Sequence, residues 1–139
     1  MSFTLHPRLA ADTIGLGRLT LCRLLLMNDA RWPWFILVPE RAGVKEIFEL
    51  EEKDQMLLHA ETMLLSRSVS DSFQADKMNI AALGNVVPQL HVHVIARFER
   101  DSAWPAPVWG SGVPQAYDAP SLKRVRAFAA NLPGLRRTD

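Results

Sequence analysis

From Gln89 to Arg97 the chain alternates, with Leu90, Val92, Val94 and Ala96 apolar and Gln89, His91, His93 and Ile95 between them. A period of two in a stretch rich in β-branched residues predicts a half-buried β-strand, which Pro88 opens, since a proline is tolerated at a strand's first position. The same reading along the rest of the chain predicts a short helix over 7–12, begun by Pro7. Gly15 and Gly17 then punctuate the chain before a strand over 18–27. A turn at Asn28-Asp29-Ala30-Arg31 leads to a partner strand over 34–38, bounded by Pro33 and Pro39. A helical turn is expected over 44–48. The main helix is expected over 51–69, where Met56, Leu57, Ala60, Met63 and Leu64 fall on one face of a 3.6-residue period and Glu51, Glu52 and Asp54 suit its N-terminus. A third strand over 77–83 precedes the alternating stretch, and a closing helix over 121–131 stops at Pro133-Gly134. The order β-β-α-β-β places the chain in the α+β class.

At 139 residues, with 48% hydrophobic and 22% charged side chains, the prediction is one domain over 1–139 with a single core. Sixteen basic residues against fifteen acidic ones leave a net charge of +1, so the basic footprint of a nucleic-acid binder is missing. Lys123, Arg124 and Arg126 read as the solvated face of a helix. Cys22 is the single cysteine, which excludes an intrachain disulfide and points to a reducing compartment. The first residues lack a basic-then-apolar leader pattern, and the apolar run near 24–27 is broken by Arg23 and too short to span a bilayer. These features predict a cytoplasmic protein that engages neither membrane nor nucleic acid.

On a strand, His91 and His93 share one face, roughly 6.7 Å apart along the chain, with Gln89 next in line. One small ligand could touch all three. A purely structural pair is one alternative. A zinc or iron site is another, because His-x-His on a strand supplies two ligands. Closing such a site would call on His6, in the terminal segment, or His59, on the main helix beside its apolar stripe.

Gly84-Asn85, a short loop, and Gln89-Leu90-His91-Val92-His93-Val94-Ile95-Ala96-Arg97 resemble the signature of the histidine triad (HIT) superfamily, His-φ-His-φ-His-φ-φ, with Gln89 in the first position. Asn28-Asp29 and, after Pro33, Trp34-Phe35-Ile36-Leu37-Val38-Pro39-Glu40 are similar to the family's nucleotide-contacting strand pair, with Trp34 where relatives often carry another histidine. The similarity runs from about residue 18 to Gly110, followed by an extension that contains the closing helix.

The resemblance implies an antiparallel sheet of about five strands carrying one main helix and a C-terminal helix, in a homodimer joined across a twofold axis. It implies a nucleotide hydrolase or nucleotidyl transferase that works without cofactor or metal on a purine nucleotide or nucleotide conjugate. His91 would attack the α-phosphorus, oriented by the carbonyl of Gln89, and His93 would donate to phosphate oxygens or protonate the leaving group. The backbone amides of Asn85, Val86 and Val87 would cradle phosphate, and Asn28 and Asp29 would bond the ribose. Trp104 and Trp109 are expected near the subunit contact or the partner's pocket. A non-catalytic nucleotide-binding protein that keeps the fold is the competing expectation.

Overall fold

The computed structural model describes residues 2–137. Five strands, β1 (Thr13–Arg18), β2 (Cys22–Met27), β3 (Trp34–Pro39), β4 (Lys77–Ala81) and β5 (Val92–Arg97), form one antiparallel sheet in the spatial order β1-β2-β3-β5-β4. Helix α1 (Pro7–Asp12) precedes the sheet, α2 (Glu52–Phe73) joins β3 to β4 after a 3-10 turn at Ile47–Glu49, and α3 (Ala119–Ala130) follows β5. This is an α+β, HIT-like fold. Because β5 inserts between β3 and β4, the histidine strand lies inside the sheet, with His93 opposite Ile36 on one side and Ala81 on the other.

Side chains leave the sheet in two directions. Leu24, Leu26, Phe35, Leu37, Val92, Val94 and Ala96 meet Leu58, Leu65 and Val69 of α2 and Val125 and Ala129 of α3 in one core. Leu25, Trp34, Ile36, Val38 and Ile95 form a second cluster with Leu9, Trp32, Val87 and Val108, against which Phe3 and Leu5 pack. The predicted alternation on β5 therefore holds, its apolar stripe facing the helices.

Four predicted elements change. The strand expected over 18–27 is the second half of a hairpin, and β1 occupies the stretch that Gly15 and Gly17 were expected to interrupt. Gly17 sits in a register shift with φ +149°, and a Cβ there would come within 2.5 Å of the Arg136 carbonyl. Only glycine lets the C-terminal segment approach so closely, with Arg18 and Arg136 exchanging backbone hydrogen bonds of 2.8 and 2.9 Å. The hairpin turn itself is held by Glu61, whose buried carboxylate accepts the N–H groups of Leu21 and Cys22 at 2.9 Å each.

Helix α2 is longer than predicted, stopping at Gln74 in the left-handed conformation, and it is rotated. Its buried face carries Asp54, Leu58, Glu61, Thr62, Leu65 and Val69, whereas Met56 is 69% exposed and Met63 43%. The face that carries carboxylates is buried because each has a partner, Asp54 pairing with Arg41 at 2.7 Å and Glu61 with the hairpin turn. Finally, β5 begins at Val92 and not at Pro88, because the ladder to β3 ends at the Leu37–Val92 pair and the Leu90 N–H turns away to the Val44 carbonyl. The third strand likewise stops at Ala81. No helix among the described residues is long and apolar enough to cross a membrane.

Candidate active site

Leaving the ladder before Val92 lets residues 89–91 fold on themselves, and the Nδ1 of His91 comes within 2.7 Å of the Gln89 carbonyl oxygen. That oxygen can only accept, so Nδ1 carries the proton and Nε2 keeps its lone pair. His91 borders a cleft of about 220 Å³ whose other walls include Lys45, Phe48, Leu83 and Gly84. His93 stands beside it, the ring centroids 4.9 Å apart. Both imidazoles are buried.

The indole N–H of Trp34 donates to Nδ1 of His93 at 2.9 Å. Trp109 meets His93 edge-on with centroids 5.0 Å apart and lies 5.8 Å from Trp34. Burial, and then the neighbouring His91, push the His93 pKa down from 6.5 to about 3. Within its own chain, Trp109 packs against His93.

Trp109 reaches this place through a polar anchor. Arg97, buried at the end of β5, donates to both oxygens of Asp101 at 2.9 and 3.1 Å, to Asn79 Oδ1 at 2.9 Å and to the Ala106 carbonyl at 2.8 Å. Asp101 in turn accepts the N–H groups of Phe98, Ala103 and Trp104. Burial works against its ionised form, but Arg97 and these amides outweigh it and hold the carboxyl well below its usual range. Such a network fixes the loop that carries Trp109.

Gln89 is divided between two tasks. Its carbonyl holds His91, while its side-chain oxygen accepts the His6 N–H and its amide nitrogen donates to the Thr4 carbonyl, both at 2.9 Å. The amide thus fastens the N-terminal segment beside the histidines, a contact with no signal in the sequence. In the loop before the strand Gly84 has φ +79°, Asn85 and Val86 are exposed, and Val87 is buried against the Trp34 cluster. The N–H groups of Asn85, Val86 and Val87 reach no protein acceptor among the described residues.

The other predicted contacts are engaged inside the chain. Asn28 Oδ1 accepts the Tyr117 N–H at 2.9 Å. The Asp29 carboxylate, 2% exposed, receives the Arg31 side chain at 2.8 and 2.9 Å and the N–H groups of Arg31 and Gln115. Burial opposes its ionisation, but these bonds hold its pKa below the ordinary value. His59 is exposed on α2, the His6 ring accepts from the Arg8 N–H, and no three His, Cys, Asp or Glu among the described residues cluster as metal ligands. Burial pushes the Cys22 thiol strongly up, so it is no nucleophile.

Fold, strand order and paired histidines together define a class. The HIT domain profile matches residues 9–100. Three solved structures named as histidine triad proteins resemble the chain nearly end to end. That from Marinobacter aquaeolei is 50% identical, covering 95% of this chain and 96% of its own with a TM-score of 0.93. That from Sinorhizobium meliloti is 49% identical, with coverages of 94% and 96% and a TM-score of 0.91. That from Bradyrhizobium japonicum is 45% identical, with coverages of 95% and 98% and a TM-score of 0.93. No curated protein matches. The chain belongs to the HIT domain family.

Proposed function

We propose that this HIT protein is a nucleotide hydrolase or nucleotidyl transferase that acts at the α-phosphate of a purine nucleotide or nucleotide conjugate. The observation that carries the reading is the 2.7 Å contact between His91 Nδ1 and the Gln89 carbonyl, which leaves the Nε2 lone pair free beside a cleft. Neutral imidazole is both nucleophile and leaving group near pH 7. His91 Nε2 bonds to the α-phosphorus as the bond to the leaving group breaks and its electron pair departs with that group. Water or another acceptor then attacks phosphorus, the P–N pair returns to Nε2, and the acceptor's proton passes to solvent.

His93 serves the same phosphate, the free amides of Asn85 to Val87 cradle its oxygens, and the Asn28 amide nitrogen bonds the ribose. The Asp29 oxygens are spent on Arg31 and the Gln115 N–H, so Asp29 holds the chain beside Asn28 and leaves the ribose to it. No cofactor is required. A second copy of the chain covers the edge strand β4 and the exposed Met56, Met63 and Ile80. Light scattering at micromolar concentration should therefore give a dimer mass.

The test is a screen of dinucleoside polyphosphates, adenylylated conjugates and nucleoside phosphoramidates for release of nucleoside monophosphate. At least one class should turn over in the wild type and none in His91→Ala. Nucleotide binding without release from any class would make the protein a binding module instead.

A further inference from the structure

We propose that Trp34 is a positioning residue whose indole N–H holds His93 as a neutral Nε2–H donor, and that this fits the site to nucleotide anhydrides over alkyl phosphoramidates. The inference rests on the hydrolase reading above and names its substrate class.

An indole nitrogen can only donate, so the 2.9 Å contact from Trp34 makes His93 Nδ1 an acceptor. A neutral imidazole has one proton, which must then sit on Nε2. His91 is in the opposite state, because its Nδ1 faces a carbonyl that can only accept. Two histidines 4.9 Å apart are thereby fixed in opposite tautomers by two neutral partners, one offering a lone pair and the other an N–H.

The surroundings of His93 keep it uncharged. It is 4% exposed, and its aromatic neighbours are Trp34 on β3, His91 before β5 and Trp109 from the loop after β5. No carboxylate among the described residues bonds to it, and a proton on Nδ1 would collide with the indole N–H. Burial, and then the neighbouring His91, disfavour the imidazolium.

Neutral imidazole donates a hydrogen bond but does not surrender its remaining proton near neutral pH. His93 therefore stabilises phosphate oxygens and does not act as a general acid. Attack by His91 Nε2 on an anhydride forms the P–N bond and breaks the P–O bridge, the electron pair leaving on a phosphate or carboxylate anion that needs no proton. An alkyl phosphoramidate must expel an amine, which leaves only when protonated. Gln89 cannot supply that proton, since its amide is neutral and tied to residues 4–6. Position 34 thus selects the leaving group without touching it.

Nitrogen-15 NMR of the imidazoles in the ligand-free protein tests the tautomers. Turnover of a diadenosine polyphosphate and an adenosine 5′-alkylphosphoramidate tests the selection. The wild type should show protonated Nε2 on His93, protonated Nδ1 on His91, and a preference for the anhydride of about 100-fold, the scale of one misplaced transition-state donor or acid. Trp34→Phe keeps an aromatic ring but removes the N–H. It should mix the His93 tautomers, leave His91 unchanged, and lower anhydride kcat about tenfold with KM little altered. Trp34→His, which returns a ring N–H, should restore the His93 signature.

A proton on Nδ1 of wild-type His93, an unchanged His93 signature in Trp34→Phe, or equal turnover of both substrates would overturn the proposal. Failure to cleave either substrate with the tautomers as stated would overturn the hydrolase reading and, with it, the substrate class. The NMR result would then still establish the positioning contact.

Discussion

Leu24, Leu26, Phe35, Leu37, Val92 and Val94 leave the sheet on one side, and Leu25, Trp34, Ile36, His93 and Ile95, one step along the same strands, leave it on the other. The first side is aliphatic with a cluster of mutually tilted phenylalanines, the ring centroids of Phe35, Phe73 and Phe128 lying 5.3–6.2 Å apart, and two helices cover it. The second is rich in tryptophan and histidine and is closed by the N-terminal segment and the loop after β5. The difference divides the labour. Apolar burial on the helix side fixes the strands, so on the other side His91 and His93 can be placed by a carbonyl and an N–H contact.

The comparison breaks most sharply if the faces are damaged one at a time. His91→Ala should lower turnover by about 10⁴-fold or more while nucleotide affinity changes little, because the nucleophile is needed for bond making more than for binding. Its melting temperature should stay close to that of the wild type. Phe35→Ala on the opposite face should cost about 3–5 kcal/mol in denaturant titration. If instead Phe35→Ala left stability intact, the helix side would not be the foundation of the fold.

A pH series sharpens the same contrast. His93 has its pKa near 3 in place of 6.5, so below pH 6.5 the unfolded chain binds a proton that the folded chain refuses. That contribution is fully present above pH 6.5 and is lost as pH falls toward 3, with a slope of up to about 1.4 kcal/mol per pH unit. His93→Gln should flatten unfolding free energies between pH 4 and 6.5. Asp101, held below its ordinary 3.8, stabilises the fold above that value and loses its share only in stronger acid, which separates the two windows. The smallest effect belongs to the clasp. Gln89→Ala should cost no more than about 1 kcal/mol, yet hydrogen exchange at residues 3–6 should rise by about an order of magnitude while α2 stays protected.

What could be read from the sequence follows from locality. The alternation from Leu90 to Ala96 is a period-two signal and the run 34–38 a short apolar stretch bounded by prolines, each contained in a few residues, so β3 and β5 and the shared face of the histidines were legible. Helix α2 was placed but turned wrongly. Of the predicted stripe Leu57 and Leu64 pack against the core and Met56 and Met63 are exposed, and burial of Asp54 and Glu61 depends on Arg41 and on the turn at Leu21-Cys22, both remote in the chain. β1 was missed because its glycines imitate a loop, and the reason for Gly17 is a carbonyl more than a hundred residues away. In the site, the contact of His91 with the Gln89 carbonyl was implied by the resemblance to the HIT signature, and it spans two residues. The bond from Trp34 to His93 spans 59 residues and the clasp of Gln89 spans more than eighty, so Trp34 and Gln89 looked like departures from a pattern when each has a contact of its own.

The claim on which the rest depends is that His91 carries the nucleotide. Rapid quench of the protein and a dinucleoside polyphosphate into alkaline denaturant, followed by peptide mass spectrometry at a pH that preserves phosphoramidate bonds, tests it directly. A nucleoside monophosphate adduct on the peptide that contains His91, absent in His91→Ala and formed no more slowly than turnover, is the predicted result. Turnover with no adduct at any time point, or an adduct that forms on His93 or His6 while His91→Ala remains active, would contradict the account.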